Sequence, residues 1–339
     1  LNTKPLTAPK LEERFLEPEG WRWHVMERGN RKIRFGFVFP KGRRPDLIVV
    51  CLPGLSEFCE KYFELARDCL DRNYAFWVID WAGQGLSSRL LYEPGKRHSL
   101  GFDLDIEDLE AMIEKFVKHI MAKNNMQDVP LGMVAHSMGA NIGLRYIKRN
   151  PDVFACAAFS APMIGLHAFR MFPAKFALKV AQILNRYMST SSIIGLKDWR
   201  EDEKIGIDAN PFTADKKRAA VHTAWCKQNP QLNAGLPTHG WLYEALLSCQ
   251  ELEHDLETRK IAVPCIIGYS GYENFVDNMK IQKANTMLKF ARILEFEEGR
   301  HEILMEEDKV RGPFLKAFYD LIDKKILGID EEGDSASNA

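Results

Sequence analysis

The period of apolar positions changes several times along this chain. After about twenty residues rich in proline and charge, residues 22–28 and 32–40 read as two strands joined by a turn at Gly29-Asn30. The second alternates, with Ile33, Phe35, Phe37 and Phe39 on one face, as a half-buried strand does. Residues 46–52 form a continuous apolar run stopped by Pro53-Gly54, the pattern of a strand buried on both faces.

Strand and helix then alternate. The pattern predicts a helix over 57–71, a strand over 75–80 and a helix over 103–123 that gathers Ile106, Leu109, Ile113, Phe116, Val117 and Ile120 on one face. A strand over 131–135, a helix over 138–149 and a strand over 154–159 follow. The rhythm breaks over 162–259, a stretch of mostly helical pattern rich in aromatics. It resumes as a strand (263–269), a helix (277–288), a strand (291–296) and a helix (308–324). Such alternation implies right-handed crossovers and a mostly parallel sheet with helices on both faces. The expected organisation is an N-terminal tail (1–20), an α/β core (21–161 and 260–328), a helical cap inserted at 162–259, and an acidic tail (329–339) expected to be disordered. No internal repeat is visible.

A chain of 339 residues suffices for one large core with an inserted subdomain. The near balance of 46 Lys and Arg against 47 Asp and Glu argues against a nucleic-acid partner. The seven cysteines show no C-x-x-C spacing, and several sit in apolar runs; buried free thiols in a reducing compartment are expected. The chain opens without an apolar stretch of signal-peptide length, and nowhere is a run long enough to span a bilayer. The expected location is cytoplasmic, with any membrane contact peripheral, at the inner membrane surface.

The chemistry begins at Ala135-His136-Ser137-Met138-Gly139, between a buried strand and a helix. A serine hydroxyl is a poor nucleophile unless a base holds it and a fixed geometry exposes it. A sharp strand-to-helix turn does the latter, and small residues two before and two after the serine let the turn close. Ala135 and Gly139 meet that need, and the following helix aims its N-terminus at Ser137. In such a turn one oxyanion donor is the amide after the nucleophile, Met138; the other comes from the loop after an earlier strand, where Leu55 is the candidate. This is the pattern of the α/β-hydrolase fold, whose chain order is nucleophile, acid, histidine. His301 alone of the nine histidines follows the last expected strand and precedes the last helix, so it is the candidate base. The acid is expected after the 263–269 strand, where Glu273 and Asp277 are available. Glu273 is preferred because it is nearer the strand end, while Asp277 reads as a helix N-cap.

Taken together, several segments resemble the bacterial lysophospholipase and monoacylglycerol lipase branch of the α/β hydrolases, whose members also carry the serine aminopeptidase name. Leu52-Pro53-Gly54-Leu55-Ser56-Glu57 is similar to the family's H-G-x-x-E loop, and Asp80-Trp81-Ala82-Gly83-Gln84-Gly85-Leu86-Ser87 to its D-x-x-G-H-G-x-S segment. Pro237-Thr238-His239-Gly240-Trp241-Leu242 resembles P-T-x-G-W-L, and the Tyr272–Asn278 and His301–Leu304 segments resemble the acid and histidine segments. Pro53, Gln84 and Ala135 stand where the family usually has His, His and Gly. The resemblance implies Ser137 as nucleophile, Glu273 as acid, His301 as base, oxyanion amides at Leu55 and Met138, an acyl lipid as small-molecule substrate, and no metal or organic cofactor.

The cap sequence bears on substrate. Between His167 and Met188, Phe172, Phe176 and other apolar residues are interleaved with Arg170, Lys175, Lys179 and Arg186. The segment suits packing on the core, lining an acyl pocket, or resting on an anionic membrane. Trp241, with Trp199 and Trp225, offers further area to shield an acyl chain. The expected function is hydrolysis of lysophospholipid or monoacylglycerol esters. The alternatives are a short-chain carboxylesterase or aminopeptidase of the same fold, and a non-catalytic lipid- or partner-binding protein.

Overall fold

A computed structural model describes residues 6–93, 95–193, 207–258 and 261–328. The expected acidic tail (329–339) and Trp199 lie outside the described residues. The strands are β1 (Arg22–Arg28), β2 (Arg31–Val38), β3 (Leu47–Leu52), β4 (Tyr74–Ile79), β5 (Lys96–Arg97), β6 (Leu131–His136), β7 (Cys156–Ser160), β8 (Leu236–Pro237), β9 (Cys265–Ser270) and β10 (Ala291–Phe296). Eight of them form one sheet in the order β1-β2-β4-β3-β6-β7-β9-β10; β5 and β8 pair separately. The β1–β2 and β2–β4 pairs are antiparallel, and every pairing from β4 to β10 is parallel. β3, β4, β6, β7 and β9 are buried along their whole length, which is why they read as unbroken apolar runs.

The helices are α1 (Phe63–Asp71), α2 (Phe102–Met112), α3 (Lys118–Lys123), α4 (Met138–Arg149), α5 (Ala174–Met188), α6 (Lys216–Gln228), α7 (His239–Thr258), α8 (Asn278–Asn285) and α9 (Asp308–Lys325). The single helix expected over 103–123 is α2 and α3 joined through a wide π-helical turn at Ile113–Val117. Ile33, Phe35 and Phe37 of β2 share one apolar cluster with residues of α2, α4, α7 and α8. On the other face, Val38, Val49 and Phe76 join residues of α1, α6 and α9. The sheet is thus covered on both sides, as the sequence pattern implies.

The inserted helical region holds α5, α6 and α7. It does not behave as one lid. α6 returns to the core face that α1 covers: His222 packs on Phe58 and Trp225 on Phe63, with ring centroids 4.9 and 5.8 Å apart. Trp225 also donates its indole N–H to the Phe15 carbonyl, so this ring ties the N-terminal segment to the core instead of shielding an acyl chain.

Candidate active site

Ser137 is set by the geometry of its turn. It has φ 50° and ψ −114°, a conformation costly for a non-glycine residue, between the end of β6 and the start of α4. The Ser137 amide donates to the Ser160 carbonyl, and its own carbonyl accepts from the amides of Ala140, Asn141 and Met163, which holds the strained bend. Gly139 must be small: a Cβ there would come 2.3 Å from the Leu52 carbonyl oxygen. Ala135 is buried in β6 opposite Leu52 and Phe159. Its methyl is accommodated where the family usually has glycine.

The other two expected residues converge on this serine. His301 Nε2 lies 3.0 Å from Ser137 Oγ, and His301 Nδ1 lies 2.9 Å from Glu273 Oε2. The second Glu273 oxygen accepts from the amides of Phe275 (2.7 Å) and Val276 (3.2 Å), so the carboxylate is held at both ends. Burial by itself would raise the Glu273 carboxyl. The facing His301 ring and the two amides outweigh it and hold the carboxyl below the usual glutamate range. Asp277 is the N-cap of α8, accepting from the Met279 amide at 3.0 Å. Of the two candidate acids, the structure brings Glu273 to the histidine. The Phe275 ring lies 4.9 Å from His301 and stacks on Phe212 of the inserted region at 4.9 Å, which shields the His301–Glu273 pair.

The loop before Glu57 leaves one amide open. The Gly54 amide donates to Glu57 Oε2, and the Ser56 amide donates to Gln84 Oε1 at 3.1 Å. Among the described residues no hydrogen bond engages the Leu55 amide between them. Met138 opens α4, where the first amides of a helix have no partner within it. Gly54 packs against Ser137, since a Cβ on it would stand 3.4 Å from Ser137 Cβ and 2.8 Å from His136 Cδ2.

Two of the sequence departures have a structural account. Gln84 is fully buried and staples the loop: its Nε2 donates to the carbonyls of Gly54 and Glu57 at 2.8 Å each, and its Oε1 also accepts from Arg97 Nε at 2.9 Å. An amide side chain thereby engages both sides of the loop. Pro53 needs no N–H, and its carbonyl accepts from the Trp81 indole at 2.8 Å. Sequence reasoning missed Arg97, a guanidinium with no exposed surface beneath this loop; a single arginine among polar and charged neighbours gives no signal of burial.

His136 points its Nδ1 at Ser160, 3.1 Å from the carbonyl and 3.2 Å from Oγ, so it is not the base. Burial pushes its imidazole down to about 4, which keeps it neutral near pH 7. Glu57, His136 and Glu302 are a group with metal-ligand spacing, their ligand atoms within 4.8 Å of one another. The Lys61 ammonium stands 2.7 Å from each of the two carboxylates, so a cation is already built into the cluster.

The expected substrate-binding residues part company. Trp241 is buried at the start of α7 in the core cluster, its ring 6.4 Å from Phe102. Phe172 and Phe176 stack on each other on the outer surface, 53% and 58% exposed. In α5 the small residues Ala177 and Ala181 are buried, Leu178 and Leu184 are half-buried, and Phe176, Val180, Ile183, Tyr187 and Met188 face out.

Residues 43–308 match the family described as Serine aminopeptidase, S33. The chain belongs to that family. It is an α/β-hydrolase of the serine-hydrolase type, related to lipid esterases. Lysophospholipase L2 of Escherichia coli strain K12 is 28% identical over 297 residues, 85% of this chain and 84% of the relative. Phospholipase YtpA of Bacillus subtilis is 24% identical over 273 residues, 79% and 93% of the two chains. Among solved structures, a soluble variant of monoglyceride lipase from Saccharomyces cerevisiae superposes with a TM-score of 0.71 at 20% identity, covering 94% of this chain and 96% of that one. At that identity the likeness establishes the fold alone.

Proposed function

We propose that this protein hydrolyses acyl esters of monoacyl lipids, lysophospholipid or monoacylglycerol, through Ser137, His301 and Glu273. The observation that carries the proposal is the continuous chain from Ser137 Oγ through His301 to Glu273, with contacts of 3.0 and 2.9 Å. In this scheme His301 Nε2 takes the Ser137 proton as Oγ attacks the acyl carbonyl. Glu273 fixes the His301 tautomer and stabilises its imidazolium. The amides of Leu55 and Met138 receive the oxyanion, each contributing about 3 kcal/mol to the transition state. His301 then gives its proton to the departing alkoxide, leaving an acyl-enzyme. Water deprotonated by the same imidazole attacks the acyl carbon and releases the fatty acid and the serine.

The lipid substrate class is supported by relatives named as lysophospholipase and phospholipase. It is supported also by the α5 surface, where exposed Phe172, Phe176, Val180, Ile183 and Tyr187 recur at helical spacing beside exposed Lys175, Lys179 and Arg186. Such a face suits peripheral contact with an anionic membrane that holds the substrate. The reading includes a cytoplasmic setting, which the six buried thiols Cys51, Cys59, Cys69, Cys156, Cys249 and Cys265 favour.

A fluorophosphonate probe tests the chemistry, with Ser137→Ala as control. The wild type is expected to label at Ser137 and the variant not at all; an unlabelled wild type overturns the hydrolase reading. Rates on lysophosphatidylcholine, monoacylglycerols, short esters and aminoacyl amides then test the substrate class. Preference for short esters or amides overturns the lipid reading and leaves the hydrolase standing.

A further inference from the structure

A buried ion cluster that the reaction scheme does not use lies between the oxyanion loop and the segment bearing His301. Lys61, in the 3-10 turn Cys59–Tyr62, is 2% exposed. Its Nζ lies 2.7 Å from Glu57 Oε1 and 2.7 Å from Glu302 Oε2. Glu57 closes the oxyanion loop, since its Oε2 accepts from the Gly54 amide and from the Tyr62 hydroxyl. Glu302 follows His301 directly; its amide donates to the Phe212 carbonyl at 2.8 Å, and its carbonyl accepts from the Met305 amide at 2.7 Å. His136 completes the cluster, with its ring centroid 4.8 Å from that of His301.

Taking a lysine and two carboxyl groups out of water together is costly, and apolar residues of similar volume often fill such a place with no loss of stability. What a charged bridge adds over an apolar contact is a fixed direction and distance. Through Lys61, the loop that presents the Leu55 amide and the turn that presents His301 are joined by two short contacts, although they belong to opposite ends of the chain. Resting on the hydrolase reading above, we propose that Lys61 is a positioning residue: an internal cation that fastens the oxyanion loop to the histidine segment, so that the Leu55 amide and the His301 imidazole keep one separation while the acyl carbonyl becomes tetrahedral.

The test uses the full chain and p-nitrophenyl octanoate as probe. Wild type is first labelled with the fluorophosphonate. Lys61→Met, Glu302→Gln and the double variant are then compared for kcat, KM, circular dichroism and Tm. In Lys61→Met, kcat falls at least about tenfold, within the roughly hundredfold that a displacement near 1 Å can cost. KM stays within about twofold, the pattern of a group that acts on the transition state and not on substrate binding. Glu302→Gln, nearly the same shape, lowers kcat in the same direction, and the double variant loses less than the product of the two single losses. Should Lys61→Met fail to fold, Glu302→Gln decides by itself. Variants with wild-type kcat and a lowered Tm, or with a raised KM and unchanged kcat, overturn the positioning role while the hydrolase reading stands. An unlabelled, inactive wild type overturns both.

Discussion

His301 Nε2 stands 3.0 Å from Ser137 Oγ across 164 residues of sequence. The sheet makes this meeting possible. Ser137 follows β6 and His301 follows β10, and both strands lie in the parallel part of the sheet, so their C-terminal ends share one edge. If the pair acts as one unit, Ser137→Ala and His301→Ala each lower kcat at least about ten-thousand-fold, and combining them lowers it little further. Steady-state rates on p-nitrophenyl octanoate read this directly. Losses that multiply would mean that the two side chains act independently.

Glu273 links the site to the stability of the fold. Its folded-state carboxyl lies below the 4.5 of a free glutamate, because the facing His301 and the Phe275 and Val276 amides outweigh its burial. A depressed carboxylate contributes stability that is fully present above the unfolded value and is lost as pH falls through the folded one. The Tm difference between wild type and Glu273→Gln is therefore largest at neutral pH and shrinks below 4.5. A difference unchanged between about pH 7 and pH 3 would assign the effect to packing alone. The same substitution lowers kcat by about ten-thousand-fold, since an amide does not hold the required imidazole tautomer.

Gln84 makes the loop that carries Leu55 testable apart from Ser137, His301 and Glu273. Gln84→Ala leaves the Ser56 amide and the Gly54 and Glu57 carbonyls without their side-chain partner, along with one face of the buried Arg97. Each buried group left unsatisfied costs about 1–3 kcal/mol. A lower Tm is expected, together with a fall in kcat on the order of tenfold or more as the Leu55 amide loses its fixed aim. Scanning calorimetry and steady-state rates measure the two. A lower Tm with unchanged kcat would confine Gln84 to structure.

Much of this was legible in the sequence because it rests on local signals. The strands at 47–52 and 131–136 are unbroken apolar runs, and Ser137 sits where a strand pattern gives way to a helix pattern two residues before an obligatory glycine. Asp277 carries an N-cap signal in the sequence, and that signal separates it from Glu273. What was not legible depends on which charged side chains are taken out of water. Lys61, Arg97 and Glu302 have the composition of surface residues, and only tertiary neighbours make their burial tolerable. The orientation of α5 was hidden for the complementary reason. Its pattern is amphipathic, but the buried side is the alanine side, chosen by close approach to α7, and this places the aromatics outside.

That inversion yields a prediction of its own. From His167 to Met188 the chain carries no carboxylate, and α5 presents Ile183 and Tyr187, 50% and 76% exposed, beside exposed Lys179 and Arg186. An apolar face of this kind costs free energy in water and gains it at a lipid interface, where each nearby cation adds about 1 kcal/mol on an anionic surface. Binding to phosphatidylglycerol vesicles is expected to exceed binding to phosphatidylcholine vesicles, and salt should weaken it by screening the cations. Ile183→Asp and Tyr187→Asp should each weaken vesicle binding by about tenfold, because a carboxylate must leave water and also opposes the anionic surface. Both positions are exposed, so Tm and turnover of p-nitrophenyl butyrate should stay near wild type. Sedimentation with vesicles and rates on vesicle-borne lysolipid check the two halves. Variants that bind as the wild type does would remove α5 from the membrane contact and leave the chemistry of Ser137 untouched.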